Sequence, residues 1–501
     1  LDSNHKRRMF KMLRAVCQSQ RYIIYLGLLL FLSVWTLISV KLADAQTVQL
    51  SVVNGSKSPL VTPGQTVHIW ANVHLPGQVF ERWEGNSELL ADPLAAHTTL
   101  VMPARNVELI ARFKPAADWT PTEERINGSR VFSYFPQPHR GVITLYHGSG
   151  GSATSWTDGR GAPENLLFCR DAVAAGFAIV ATESQNRVDK QWNSRGTNNV
   201  DVENIQIILE TFKARGEMRP DAPVFAVGMS NGGGFSPLVS ALLGFRATAI
   251  FCAAGYDAVI EQTQVPTIWC LAENDQIVNN SDAVTNFGVL SGRKVPAELY
   301  TNGASPVFPL RFARIEGMSE ADSTEFYTRL KNNGFLDDQD FLESSPAASN
   351  WERLLGEYTP FRNGIEDELN VCRASHKFFS DFNHKVLLFF QRAATGDTES
   401  PVVSEVRTSK GKIIRKKDAT VTITWRSTDN VGVESQDLAF AGDGATFTTP
   451  VASGLAGSTQ SFSWSIPTNL AKTKTGRLRV LARDTAGNSG EATTDGVLII
   501  R

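Results

Sequence analysis

The stretch from Pro223 to Gly234 limits the fold of this chain more tightly than any other. An apolar run, Val224-Phe225-Ala226-Val227, ends in Gly228-Met229-Ser230-Asn231-Gly232, and a new apolar pattern follows at once in Phe235, Leu238, Val239, Leu242 and Leu243. Such a change of period predicts a strand, a sharp turn and a helix, with Ser230 at the turn. Gly228 and Gly232 carry no Cβ, so strand and helix can close around a serine whose own backbone is strained. Ser230 Oγ then stands exposed at the carboxyl edge of a sheet, where open α/β folds bind their ligands.

From Arg125 onward, strands and helices alternate, as a parallel sheet with crossover helices requires. Strands are expected at 142–146, 177–182, 223–229, 247–253 and 266–271, and helices at 164–175, 202–214, 233–243 and 281–290. The runs Ala249-Ile250-Phe251-Cys252-Ala253-Ala254 and Thr267-Ile268-Trp269-Cys270-Leu271-Ala272 are almost continuously apolar, which suits strands covered on both faces. The alternation breaks between Lys294 and about Asn370. There, Gly317 to Asp322 reads as a capped helix start, 323–331 continues it, and Asn332-Asn333-Gly334 stops it. The expectation is a helical cap inserted at about 294–370. A last strand at 369–374 and an amphipathic helix at 378–392 would then complete an α/β domain over 119–397.

Two β-rich segments flank it. Residues 46–115 alternate in Thr47 to Val52, Thr66 to Ala71 and Val107 to Phe113, with turns at Pro63-Gly64, Pro76-Gly77 and Gly85-Asn86. The succession Pro63-Gly64-Gln65-Thr66-Val67, Phe80-x-x-Trp83-x-Gly85 and Met102-Pro103-Ala104-Arg105-Asn106-Val107 resembles the divergent InlB-type B-repeat of bacterial surface and secreted proteins. That resemblance implies a spacer or interaction module, with His68 and His74 as surface or core residues rather than ligands. Residues 402–501 alternate again around Val421 to Trp425, Ser461 to Trp464 and Leu478 to Ala482. With Asp429-Asn430-Val431-Gly432-Val433 and Ala482 to Asn488, this segment resembles the Ig-like or fibronectin-III-like sandwiches appended to secreted hydrolases.

The first 45 residues set the expected compartment. Basic residues (Lys6, Arg7, Arg8, Lys11, Arg14, Arg21) precede an apolar run from Tyr22 to Val40, and Ala43-Asp44-Ala45 follows. This is the pattern of a secretory signal peptide cut after Ala45, with a secreted or periplasmic product. The run nearly spans a bilayer, so an uncleaved membrane anchor is the alternative. A formal net charge of −2 gives no basic surface for nucleic acid. Of five cysteines, Cys17 lies in this segment. Cys169, Cys252, Cys270 and Cys372 permit either buried free thiols or one disulfide. No Cys/His spacing forms a zinc site.

A nucleophilic serine needs a base, a carboxylate to orient that base, and donors for the oxyanion. On folds with such a turn, the chain order is serine, acid, histidine. Asp275, just past the apolar strand in Cys270 to Val278, is the candidate acid, with Glu273 and Asp257 as rivals. His376 follows the expected last strand and is the candidate base, with His384, inside the final helix, as the alternative. His139 and His147 precede the acid. The loop Tyr146-His147-Gly148-Ser149-Gly150-Gly151-Ser152 would turn N–H groups toward a substrate oxygen. Ser149 N–H and Asn231 N–H form the expected oxyanion pair, Gly148 and Gly150 give the loop its shape, and His147 braces it. A phosphate-binding loop would need a Gly-Lys-Ser/Thr that is missing here. Trp156 and Trp192 could meet substrate at the rim or serve as packing.

The His-Gly-x-Gly-Gly loop, Gly-Met-Ser-Asn-Gly-Gly, Glu-Asn-Asp and the late histidine together make residues 125–395 resemble an α/β-hydrolase of the poly(3-hydroxybutyrate) depolymerase and feruloyl or acetylxylan esterase group. The resemblance implies hydrolysis of a carboxylic ester, polymeric or on a carbohydrate, through an acyl-enzyme and without cofactor. The flanking modules would hold the catalyst near a polymer or a cell surface. A peptidase or amidase would use the same triad, and a surface-binding protein with a silent hydrolase module is the non-enzymatic alternative.

Overall fold

The computed structural model describes residues 47–56, 60–72, 77–414, 420–467 and 470–501; the expected targeting segment and His74 lie outside them. The chain divides into a small unit, whose described residues fall within 47–50, 60–65 and 101–107, and a large one holding the remainder. In the small unit, the start of β1 (Val48–Val53) pairs antiparallel with β2 (Leu60–Val61) through Val48 and Val61. The large unit contains β3 (Thr66–Trp70), β4 (Gln78–Gly85), β5 (His97–Val101, bar its last residue) and β6 (Val107–Pro115, bar its first). Here β4 and β6 pair antiparallel, and the buried Trp83 donates its indole N–H to Ala95 O at 2.9 Å.

The α/β domain is built on β7 (Thr122–Ile126), β8 (Ser129–Tyr134), β9 (Val142–Tyr146), β10 (Ala178–Thr182), β11 (Val224–Met229), β12 (Ala247–Phe251), β13 (Thr267–Ala272) and β14 (Ala297–Asn302). They form one eight-stranded sheet in the order β14-β13-β12-β11-β9-β10-β8-β7. From β10 to β14 neighbours run parallel, while β8 is antiparallel to both β10 and β7. Every residue of β9, β10, β12 and β13 is buried, as an apolar strand with helices on both faces should be. On one face, the helices Pro163–Ala174 and Asn383–Thr395 contribute Phe168, Cys169, Val386 and Phe390 to a core with Phe225 and Phe251. On the other, Val200–Ala214 and Asn231–Leu243 bring Ile205, Phe212, Phe235 and Val239 against Val180 and Ala226. The chain leaves β9 for β10 on one side and returns to β11 on the other. That switch opens a crevice at the carboxyl ends of β9 and β11. This mixed sheet covered by helices is the architecture of an α/β-hydrolase.

Three sequence expectations are corrected. The alternation does not break at Lys294, because β14 follows. Its burial is only partial and its sequence, Ala-Glu-Leu-Tyr-Thr-Asn, is half polar, as befits an edge strand with one side in water. Residues 369–374 are not a strand; Arg362–Cys372 is a helix. Ile365, Leu369 and Cys372 recur at helical spacing and face a separate core with Phe312, Phe326, Leu330, Trp351 and Tyr358. The final helix starts at Asn383 instead of Phe378, since Phe378 and Phe379 pack on Phe251 from the preceding loop.

Residues 303–372 are joined to the sheet domain by buried charges. Arg311 lies between Glu164 and Glu368, all three essentially inaccessible, and Arg314 reaches Glu164 at 2.7 Å. Burial alone would raise the Glu164 carboxyl, but Arg314 and Arg311 bring it below its ordinary value. Cys169, Cys252, Cys270 and Cys372 are all buried free thiols, so the disulfide alternative is not realised.

Residues 402–501 form two sheets, one of the strands Val402–Thr408, Thr420–Thr428 and Ser461–Ser465, the other centred on Val433–Ala441 and Thr473–Asp484. Val421, Ile423, Trp425, Leu438, Phe440, Trp464, Leu478 and Val480 fill the space between them.

Segment 66–100 meets the helix Asn383–Thr395 and the residues just before it through side-chain contacts to carboxylates. Asp92 accepts from His384 Nε2 at 2.9 Å and from Lys385, His97 Nδ1 contacts Asp381 at 2.9 Å, and His68 Nδ1 contacts His97 Nε2 at 3.0 Å. Burial would raise Asp92 and Asp381, but His384 and Lys385 hold the first, and His97 the second, well below the carboxylate range. Burial, then His97, lowers His68 to about 4. A lowered histidine favours the folded state above its unfolded value of 6.5, and this preference is lost as pH falls toward 4. A lowered carboxylate stabilises above its unfolded value of 3.8 and loses that stabilisation as pH falls through the folded value. Acidification should therefore loosen this contact in two stages, from about pH 6.5 and again below about pH 4. Limited proteolysis of the linker 116–121 across that range would read both; uniform cleavage from pH 7 to 3 would contradict it.

Candidate active site

The turn after β11 is as sharp as its sequence predicts. Ser230 sits at φ 55 and ψ −118, between the last strand residue Met229 and the helix Asn231–Leu243. Such a conformation costs a non-glycine residue about 1–3 kcal/mol and persists only when its surroundings enforce it. Here Ser230 N–H donates to Phe251 O at 2.8 Å, and Ser230 O accepts from Gly234 N–H at 2.9 Å. A Cβ on Gly228 would fall 2.1 Å from Gly232 O, and one on Gly232 would fall 2.4 Å from Tyr146 O. Neither position can hold a side chain.

His376 Nε2 lies 2.8 Å from Ser230 Oγ, and His376 Nδ1 lies 2.7 Å from Asp275 Oδ2. The Asp275 side chain is wholly inaccessible, and its other oxygen accepts from the N–H groups of Ile277 at 2.8 Å and Val278 at 2.9 Å. Those two donors fix the carboxylate, leaving Oδ2 for the imidazole. The acid loop and the base loop are themselves stapled together. Asn274 N–H donates to Ala374 O and its side-chain amide to Arg373 O, each at 2.9 Å. Serine, acid and histidine come together at the carboxyl ends of β11 and β13, although the chain from Asp275 to His376 passes through the whole segment 303–372.

The loop after β9 lies against the serine. A Cβ on Gly148 would stand 3.1 Å from Met229 Sδ and 3.5 Å from Ser230 Cβ, and Gly150 has φ +75. Gly150 N–H donates to Lys190 O at 3.1 Å, and Gly151 N–H to Gly148 O at 3.0 Å. Among the described residues, the N–H groups of Ser149 and Asn231 have no backbone acceptor in these loops. His147 is buried, with Nδ1 2.7 Å from Gly148 O and Nε2 accepting from Ser184 N–H at 3.3 Å. Burial lowers its pKa, and the neutral Nδ1–H tautomer meets both partners.

The rivals lie elsewhere. His384 bonds Asp92, so the alternative base does not reach Ser230. Glu273 is exposed and accepts from Ala304 N–H, while Asp257 accepts from the Asn286 amide. His139 is buried beside Phe135. Trp156 and Trp192 are not rim residues: both are buried, Trp156 on Phe378 and Trp192 on Phe235. Trp192 nevertheless serves the site, because its backbone N–H and C=O are gripped by the Asn231 side chain at 2.6 and 3.2 Å. Sequence reasoning missed this clamp and the Asn274 staple; both are contacts to the backbone of distant segments, which leave no periodic trace.

The position of Cys252 beside the relay also has no signal in the sequence. Its thiol, with Asp275 and His376, offers three potential metal donors within 4.8 Å of one another. Yet Ser230 and Asp275 occupy both ring nitrogens of His376, and burial, then Asp275, pushes the thiol far above its ordinary value. A neutral thiol is a poor ligand.

Strand order, elbow and Ser–His–Asp geometry together define the α/β-hydrolase class of fold. Comparison with known proteins adds a family for one end of the chain: residues 46–117 match the divergent InlB B-repeat domain. No curated protein matches the chain. Among solved structures, it is similar to a predicted CIB-like hydrolase from Thermoplasma acidophilum, at 18% identity over 43% of this chain and 99% of that one, TM-score 0.28. It is similar to a ferulic acid esterase at 12% identity, over 36% and 88%, TM-score 0.30. A Thermogutta terrifontis esterase phosphorylated by paraoxon matches at 15% identity, over 43% and 95%, TM-score 0.29. Likeness at this level assigns no residue role and no substrate. No described helix is long and apolar enough to cross a membrane.

Proposed function

We propose that the chain is a serine hydrolase of carboxylic esters. The observation that carries this reading is the unbroken relay from Ser230 Oγ through both nitrogens of His376 to the buried Asp275. In this mechanism Ser230 Oγ attacks the ester carbonyl while His376 Nε2 takes its proton. Asp275 holds Nδ1–H and stabilises the imidazolium, and the N–H groups of Ser149 and Asn231 receive the charge on the carbonyl oxygen. Collapse of the tetrahedral adduct breaks the C–O bond, and His376 returns the proton to the departing alcohol. Water, deprotonated by the same nitrogen, then attacks the acyl-serine and releases the acid.

The substrate class we favour is a polyester or a carbohydrate ester, from the loop, elbow and acid motifs. The flanking modules would serve as contacts to a polymer or cell surface, with the B-repeat segment favouring an exported bacterial protein. A panel of p-nitrophenyl acetate, p-nitrophenyl butyrate, poly(3-hydroxybutyrate) film, methyl ferulate and acetylated xylan tests this directly. Turnover is expected, with Ser230→Ala lowering it by about three orders of magnitude or more. A protein inert to every ester and unlabelled by a fluorophosphonate would sink the proposal. Cleavage of amides in preference to esters would move it to a peptidase.

A further inference from the structure

A second cluster of ionisable groups lies far from the relay, where the hydrolase domain hands over to residues 402–501. Asp397 follows the final helix, one residue after Gly396 caps that helix at φ 72; Asp429 opens the turn 429–432; Asp484 ends the strand Thr473–Asp484. One oxygen of each carboxylate lies within 4.8 Å of the others. Asp397 and Asp484 are 3% and 0% exposed.

The hydrogen bonds show where these carboxylates point. Asp397 Oδ1 accepts from Glu399 N–H at 3.1 Å and from the Asn430 amide at 3.0 Å, while its buried Oδ2 has no protein partner. Asp429 Oδ2 accepts from the N–H groups of Val431 and Gly432, both at 2.9 Å, while its buried Oδ1 has none. Asp484 takes one bond on each oxygen from Asn488, at 2.8 and 2.9 Å, and keeps free lone pairs. So Asp397 and Asp429 are each anchored by one oxygen and keep the other buried without a protein partner, in a cluster where the three carboxylates approach within 4.8 Å. Among the described residues no cation pairs with any of the three. Burial, with Asp397 and Asp429 adding to it, raises the Asp484 carboxyl against the bonds from Asn488. Buried like charges with unpaired oxygens are costly unless a cation joins them.

We propose that Asp397, Asp429 and Asp484 bind a calcium ion that fastens the hydrolase domain to the C-terminal module. All the donors are carboxylate oxygens, with no nitrogen or sulfur, which favours a hard cation over zinc or copper. The three carboxylates come from three separate segments, and calcium accepts an irregular set of oxygen donors better than magnesium does. The ion would reinforce a junction already made by Arg140, which pairs with Glu434 and donates to Thr485 O at 3.0 Å.

The full-length protein, stripped with chelator, would be titrated with CaCl2 by calorimetry and then unfolded thermally with and without the ion. The expected results are one site per chain, with Kd on the order of 10⁻⁴ M or tighter, and a rise in Tm of roughly 5 °C. Asp429→Asn, at the least buried of the three, should weaken binding at least ten-fold, and MgCl2 should do less than CaCl2. Calcium should also protect the linker 396–401 of the wild-type protein from protease, a reading that needs no variant. Absence of heat, of Tm shift and of protection up to about 10 mM CaCl2 would overturn the site. So would equal binding by wild type and Asp429→Asn, because the ion would then lie elsewhere.

Discussion

Asp275→Asn should lower kcat for p-nitrophenyl esters about 10⁴-fold while leaving the fold in place. The replacement amide keeps an oxygen for the N–H groups of Ile277 and Val278, so the acid loop has no reason to move. What changes is the partner of His376. Facing Nδ1, the carboxylate accepts a proton-bearing nitrogen, whereas the amide NH2 can only donate. The ring then carries its proton on Nε2, toward Ser230, where it cannot take the serine's proton. The imidazolium also loses its counter-charge. Near-ultraviolet circular dichroism unchanged from wild type, with kcat collapsed, is the expected pair of observations. Activity within ten-fold of wild type would mean that Asp275 does not set the tautomer.

The second large effect lies away from the chemistry. Arg311→Ala should destabilise the hydrolase domain by about 3–5 kcal/mol, read as the shift of its urea or thermal transition. Arg311 is 1% exposed and lies between Glu164 and Glu368, both fully buried, so its removal strands carboxylates in a low-dielectric interior. Arg314 keeps Glu164 paired, and Glu164 also accepts from Ser380 N–H at 2.6 Å, so the orphan is Glu368. The paired change Arg311→Met with Glu368→Met should therefore recover much of the loss, since an apolar pair of similar volume needs no partner. If both variants fall equally, the ion pair itself supplies stability that an apolar pair of the same volume does not replace, and the stranded-charge account fails.

How much of this could be read in advance follows from what a sequence pattern can carry. Ser230 and Asp275 were legible because each follows an apolar strand, whereas His376 was placed by chain order, since the strand expected before it is the end of a helix. The two glycines beside Ser230 were legible as well, and the close approaches at Gly228 and Gly232 are their physical reason. The strand β14 was hidden by its polar half, and the helix Arg362–Cys372 by a short apolar run that serves either period. Contacts between distant segments left no local mark at all. Neither the Asn274 staple, nor the charges around Arg311, nor the meeting of Asp397 with Asp429 and Asp484 has a spacing to betray it.

The Asn274 staple has a bearing on how such a fold can change. Two hydrogen bonds from one residue hold the base loop to the acid loop, directly across the point where the chain departs into residues 303–372 and comes back. The position of His376 is thereby tied to the sheet as well as to the helix Arg362–Cys372, whose Asn370 O accepts from Ser375 N–H at 2.9 Å. That excursion can be lengthened, shortened or resurfaced without moving the base, provided Asn274 and the Arg311 contacts remain. The architecture separates the part of the chain that holds the relay in place from a part left free to vary around it.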